Sequence, residues 1–215
     1  MRGLVARVAA ETAAPSGDGG SPAALRLARP IPAVPIPPAF GPFDAAVDGW
    51  FERHLRHRKL PDVVMYAASA VGDHGILWLG LAAVQAARMR KGWRRRFVRA
   101  AAGLGVESAL VNGPVKLLFR RSRPLHAGPR PLHLRQPRTS SFPSGHASAA
   151  FFGAAVLRDG DPWWPLYYLL AVTVAASRAH VRIHHASDVI GGALIGAALG
   201  EAARRLFPLD VESAT

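Results

Sequence analysis

Three clusters in the second half of the chain hold the side chains that chemistry at phosphorus needs: Lys116 to Pro124 (KLLFRRSRP), Ser141 to His146 (SFPSGH) and Ser177 to Asp188 (SRAHVRIHHASD). A phosphoryl dianion is held by a point charge from lysine and a planar fork from arginine. On a continuous helix Lys116 and Arg123 share a face at i and i+7, with Pro124 stopping the helix. Pro143-Ser144-Gly145-His146 opens an apolar run, so its backbone N–H groups form the anion-binding start of a helix. Ser144 supplies a hydroxyl, Gly145 lets a ligand reach the backbone, and His146 carries a proton. In the third cluster His184 precedes Asp188 by four residues, which on a helix sets a carboxylate beside an imidazole. That carboxylate fixes the ring tautomer and stabilises the charge formed when the other nitrogen attacks phosphorus. Spacing leaves His185 open as the partner of Asp188, and Arg178 is a candidate clamp for phosphoryl oxygens. Each cluster alone also has an ordinary reading: a snorkelling basic anchor, a serine helix cap, a structural His–Asp pair.

Composition narrows the class. The 215 residues, half of them apolar, make one domain with a sizeable core. The chain has no cysteine, which excludes a disulfide framework and cysteine-ligated metal sites. Lys plus Arg number 27 against 14 Asp plus Glu, so anionic partners are favoured: nucleic acid, acidic lipid or phosphorylated substrate.

Hydrophobic runs choose among these. Residues 1–42, ending in RPIPAVPIPPAFGP, read as a disordered Pro/Gly/Ala-rich tail, and 208–215 as a short C-terminal tail. Between them lies a single domain, 43–207. From Phe43 to Leu55, Phe43, Val47, Trp50, Phe51 and Leu55 recur at helical spacing ahead of Arg53 to Lys59, the pattern of an amphipathic helix on a membrane surface. A helix ending near Val71 follows. Then come spans over about Gly75 to Met89, Phe97 to Phe119, Gly145 to Leu157 (short), Trp163 to Ser177 and Ala186 to Leu206. Asp73 is expected to cap the first of them, with a direct part in the site as the alternative, and Glu107, Asn112 and Lys116 are polar positions of the second that face a bundle interior or a wet cavity. Gly191, Gly192, Gly196 and Gly200 on the last let a neighbouring helix come close. The expected fold is all-α: an integral membrane bundle of about five spans plus an N-terminal interfacial helix. Alternating crossings then put all three clusters on one side of the bilayer.

Taken together, the clusters resemble the type 2 phosphatidic acid phosphatase family, which also includes vanadium haloperoxidases and bacterial acid phosphatases. Its pattern is K-x6-R-P, then P-S-G-H, then S-R-x5-H-x3-D. Lys116, Arg123, Pro124, Pro143, Ser144, Gly145, His146, Ser177, Arg178, His184 and Asp188 match every fixed position. The resemblance implies that His184 is the nucleophile and forms a phosphohistidine, that Asp188 orients it, and that His146 protonates the leaving oxygen and then activates water. It also implies that Lys116, Arg123, Ser144, Gly145 and Arg178 hold the phosphoryl oxygens, with no metal or other cofactor, and it favours His184 over His185. Two departures stand out: family members in membranes often show six clear spans, and the helix from Gly145 is short.

A pocket among membrane helices suits a lipid phosphate, with an isoprenoid lipid (a polyprenyl phosphate or diphosphate, or a polyprenyl phosphosugar with a terminal phosphate) favoured over phosphatidate or phosphatidylglycerol phosphate. The partners expected are that substrate and membrane lipids, not nucleic acid. Seven Lys or Arg between Arg88 and Arg99 argue for a cytoplasmic loop there and an active site on the extracytoplasmic face of the cell membrane. The competing readings are a vanadate-dependent haloperoxidase, and a non-catalytic membrane protein that binds anionic lipid or nucleic acid.

Overall fold

Apolar runs punctuated by Gly, Pro and charge become helices in the expected order. The computed structural model describes residues 40–90, 92–125 and 139–209, apart from the His74 side chain. Its helices are α1 (Phe40–His54), α2 (Lys59–Val71), α3 (Ile76–Arg88), α4 (Trp93–Leu110), α5 (Lys116–Leu118), α6 (Gly145–Leu157), α7 (Trp164–His180) and α8 (Ala186–Leu206). The expected tails before residue 40 and after 209, and most of the basic loop between Arg120 and Arg138, lie outside the described residues.

The helix apolar on every side has no stable place except the centre. Nine of the 13 residues of α6 are buried, and α3, α4, α7 and α8 pack around it. The glycine repeat of α8 does what its spacing foretold. A Cβ at Gly196 would stand 2.0 Å from the Ser148 carbonyl oxygen and one at Gly192 2.3 Å from that of Ser144, distances no side chain can occupy. Gly200 sits against Phe152 and Ala155 of the same helix, while Gly191 turns to the Phe142 ring. This backbone contact sets the first turns of α6 and α8 side by side, and Ser144 N donates to the Asp188 carbonyl at 3.0 Å. Two of the three sequence clusters thereby meet.

The span expected to run unbroken from Phe97 to Phe119 is broken. After α4 the chain widens into a π-turn over Val111–Val115, with Gly113 at φ −95°, ψ −109°, and α5 adds only one further turn. Pro114 has no N–H to donate and its ring collides with the carbonyl four residues back, so a straight helix cannot pass it. Phe119 is already extended, so Lys116 and Arg123 do not share a helix face. A second correction concerns Asp73: it is the first residue of a single 3-10 turn, Asp73–Gly75, and the N-cap of α3 is Gly75, at φ 70°, which glycine alone adopts cheaply. There α2 and α3 meet at 79°.

Helix α1 starts at Phe40, three residues before the expected boundary, and its apolar residues divide. Phe51 is buried while Phe40, Phe43 and Trp50 are exposed. Polar residues on α1 and in the turn just after it clamp two other helices. Arg56 donates from Nε to His180 O at 2.8 Å and from Nη2 to Ala179 O at 3.0 Å, satisfying carbonyls at the end of α7. Asp44 accepts from Ser187 N at 2.8 Å, satisfying an N–H at the start of α8.

At the far end of the bundle Asp159 pairs with Arg99 at 2.7 Å and Arg204 at 2.5 Å, and Asp161 with Arg88 at 3.2 Å. Burial alone would raise the Asp161 carboxyl, but Arg88, the Trp163 N–H, Gln85 and Tyr167 together hold it well below the usual carboxylate range. These contacts tie the ends of α3, α4, α6, α7 and α8 at one level, which leaves the three clusters together at the other. Among the described residues α8 alone is long and apolar enough to cross a bilayer by itself; α2 with α3 reaches that length as a bent pair, and α6 is shorter.

Candidate active site

Lys116 is buried at the tip of α5, and beyond it the chain runs extended through Arg121 to Arg123. Backbone and serine contacts pin this stretch: Ser141 N donates to Arg121 O at 3.0 Å, Arg121 N to Ser140 Oγ at 3.2 Å and Ser141 Oγ to Ser122 O at 3.0 Å. Three carbonyls hold the Arg123 guanidinium: Ile183 at 2.9 Å, and Thr139 and Ser140 at 3.2 Å each. So the first cluster reaches the site by docking against the second and third, not by helical register.

His184 lies in the turn between α7 and α8, two residues before α8 begins. Its Nδ1 is 2.7 Å from the Ser141 carbonyl oxygen, and its Nε2 is 3.2 Å from Arg123 Nη1. A carbonyl only accepts and a guanidinium only donates, so Nδ1 carries the ring proton and Nε2 the lone pair. Asp188 Oδ2 is 3.7 Å from Nδ1, beyond hydrogen-bond reach. The atom that receives the ring proton is therefore a backbone carbonyl, which no reading of side-chain spacing could find, and Asp188 acts as a nearby charge. Burial holds the His184 ring well below the ordinary histidine range, at about 4; Asp188 opposes this, and Arg178 and Arg123 add to it. The ring is neutral at physiological pH.

His185, the alternative left open by spacing, is the N-cap of α8. Its Nε2 sits 3.3 Å from Ser122 O on the exposed side. Its backbone N–H donates to Asp188 Oδ2 at 2.8 Å, closing a capping box that brings Asp188 close to His184.

Lys116, Gly145, His146, Arg178 and His184 line one cavity of about 960 Å³. Arg178 is anchored to it by donating from Nη1 to Ser69 Oγ on α2, and Gly145 leaves the room that the Asn112 side chain takes. Arg123 joins through His184, whereas Ser144 and Asp188 are fully buried behind the wall. Ser144 caps α6, its Oγ accepting from Ala147 N at 3.4 Å, so its hydroxyl supports the helix whose first residues face the cavity. His146 Nε2 lies 3.5 Å from Asp73 Oδ1, and Asp73 lines the same cavity, which places it in the site.

Sequence reasoning passes over Ser69, Arg121 and Asp44; it reads Asp73 first as a cap and second as part of the site, and Glu107, a buried residue of the cavity wall, as a polar position facing the bundle interior or a wet cavity. Arg121 stands within the first cluster and was readable only as one of several arginines. The Gly72-Asp73-His74-Gly75 break was a signal that backbone, and not helix, lies at that depth, which occurs where a cavity is lined.

Residues 97–211 match the family model described as PAP2 superfamily. The chain is 36% identical over 132 residues to the decaprenylphosphoryl-5-phosphoribose phosphatase of Mycobacterium tuberculosis, covering 61% of this chain and 72% of that protein. It is 39% identical over 93 residues to the undecaprenyl-diphosphatase of Sulfolobus acidocaldarius, covering 41% and 45%. The fold is similar to the crystal structure of a transmembrane PAP2 type phosphatidylglycerolphosphate phosphatase from Bacillus subtilis, with a TM-score of 0.62 at 24% identity over 79% of this chain and 87% of that one. With the family match spanning more than half of the chain and the three clusters gathered at one cavity, the protein belongs to the PAP2 superfamily.

Proposed function

We propose that this PAP2 phosphatase hydrolyses a lipid phosphate through a covalent phosphohistidine, with no metal ion. The observation that carries the reading is the state of His184: a neutral ring with Nδ1–H committed to Ser141 O and the Nε2 lone pair at a cavity lined by Lys116 and Arg178. The Nε2 lone pair attacks phosphorus, the bond to the leaving oxygen breaks, and His146 gives that oxygen a proton. Neutral His146 then takes a proton from water, whose oxygen attacks phosphorus while the P–N bond breaks, releasing inorganic phosphate and restoring His184. Lys116, Arg123 and Arg178 balance the charge on the transferring phosphoryl group, the task a metal performs elsewhere. Gly145 and His146 present the N-terminus of α6 to that group and Ser144 caps it, while Asp188 stabilises the charged imidazole during attack.

Polyprenyl-linked phosphates are the favoured substrates because two relatives are named for acting on decaprenyl- and undecaprenyl-linked lipids. The reading includes five membrane helices: α3, α4 with α5, α6, α7 and α8. Exposed Val98 and Val106 on α4, Leu169 and Val172 on α7, and Ile190 and Leu194 on α8 support a lipid-facing belt. Exposed Phe40, Phe43 and Trp50 support an interfacial α1. Arg88, Arg96 and Arg99 from the basic stretch bond Asp161 and Asp159 at the end away from the cavity, which supports an extracytoplasmic active site.

Detergent-solubilised protein given polyprenyl phosphate, polyprenyl diphosphate, phosphatidate and phosphatidylglycerol phosphate is expected to release phosphate at the same rate with and without EDTA, fastest from a polyprenyl substrate. Loss of release in EDTA, restored by a divalent cation, would overturn the metal-free mechanism.

A further inference from the structure

Helix α1 lies outside the family match, yet it reaches the residue behind the nucleophile. Asp44 is a buried carboxylate on that helix, and a buried charge is tolerated only with partners. Its Oδ1 accepts from Ser187 N at 2.8 Å; its Oδ2 accepts from Ser187 Oγ at 2.9 Å and from Arg121 Nη2 at 2.5 Å. The other arm of the same guanidinium, Nη1, donates to Ser187 Oγ at 2.7 Å and to Asp188 Oδ1. The second Asp188 oxygen takes the His185 N–H. Both oxygens of Asp188 are therefore engaged away from His184, one of them by a cation that α1 holds in place.

We propose that Asp44 and Arg121 are positioning residues of the phosphatase: Asp44 fixes Arg121, and Arg121 fixes Asp188 and takes up part of its charge, so that Asp188 is held behind His184 with both of its oxygens engaged elsewhere. The proposal rests on the reading of His184 as nucleophile. Arg121 touches neither the cavity lining nor His184, so it acts through Asp188. The charged groups around His184 are Asp188 from α8, Arg178 from α7 and Arg123 from the segment after α5, with Lys116, His146, Asp73 and Glu107 lining the same cavity. Of the acidic groups, Asp188 lies 3.7 Å from Nδ1 of the ring, and Arg121 bridges it to Asp44 of α1.

The direction of the effect follows. Without the guanidinium the full Asp188 charge acts on the ring, the imidazolium is stabilised, and His184 stays protonated to higher pH. Without the Asp44 charge Arg121 is less neutralised, which moves the ring the other way or not at all. The test is the pH profile of kcat/KM on one lipid phosphate in detergent for wild type, Arg121→Met, Arg121→Lys and Asp44→Asn. Phe51→Ala serves as a control that loosens α1 without touching the network. The acid limb is expected to move up by about one unit in Arg121→Met and to return toward wild type in Arg121→Lys, which keeps the charge. In Asp44→Asn it is expected not to rise, and kcat in Arg121→Met should fall about 10²-fold or more with KM within about threefold. An acid limb that stays in place in Arg121→Met, or a kcat loss no larger than that of Phe51→Ala, overturns the proposal. If Arg121→Met does not yield folded protein, Arg121→Lys and Asp44→Asn decide it alone, and a raised limb in Asp44→Asn counts against it. Turnover retained in His184→Ala would instead sink the underlying mechanism, whatever the network variants do.

Discussion

His184→Ala is expected to lower phosphate release from a lipid phosphate by about 10⁴-fold or more, because the variant loses the only route through a covalent intermediate and cannot substitute water in its place. The cations remain, so affinity for product phosphate should change by less than about tenfold, and the loss should appear in kcat. The same change removes a fully buried ring held at both nitrogens, so folding is checked by thermal unfolding in detergent alongside the assay. His185→Ala is the natural comparison: its ring faces the Ser122 carbonyl outside the cavity, and activity should stay within about tenfold of wild type, as for loss of a helix cap. Equal losses in the two variants would contradict the assignment of the nucleophile.

Leaving-group chemistry decides the size of the second large effect. His146→Ala removes the proton donor at the first turn of α6, and for an alkyl phosphate the leaving alkoxide cannot depart without a proton. A fall of about 10²- to 10⁴-fold is expected there. For an aryl phosphate such as p-nitrophenyl phosphate the first step needs no acid, while the second still lacks its base. The variant should therefore release close to one equivalent of nitrophenol rapidly and then stall as the phosphoenzyme. A diphosphate, whose leaving group is itself a phosphate, should fall between. Equal impairment on all three substrates, without a burst, would show that His146 holds the substrate and does not move its proton. Asp73, 3.5 Å from the His146 ring, gives a milder version of the same test, since its replacement by asparagine leaves the ring in place.

What could be read in the chain was whatever one element encodes by itself. The order and spacing of the three clusters, the all-helical pattern and the glycine stripe of α8 are all local, and the helices and the close approach at the glycines reappear in the fold. The break in α2–α3 was visible in Gly72 to Gly75. The break after α4 was equally visible in Gly113-Pro114, but the apolar run around it hid the punctuation. That run also made Lys116 and Arg123 look like neighbours on one helix, when tertiary docking of an extended segment does the work. What was not legible depends on chain positions far apart meeting in space. The Ser141 carbonyl has no side-chain signature, since every residue carries one. Asp44 and Arg121 are an aspartate and an arginine among many until α1 folds against α8. The same holds for Asp73, whose placement beside His146 follows from the corner between α2 and α3.

The central claim is a bond between phosphorus and His184 Nε2. Wild-type protein mixed with a ³²P-labelled lipid phosphate and quenched in alkali within the first turnover should carry label up to about one equivalent, stable to alkali, lost in acid, and located on the peptide that contains His184. Absence of label in the first turnover of an active preparation, or label on any other residue, would contradict it.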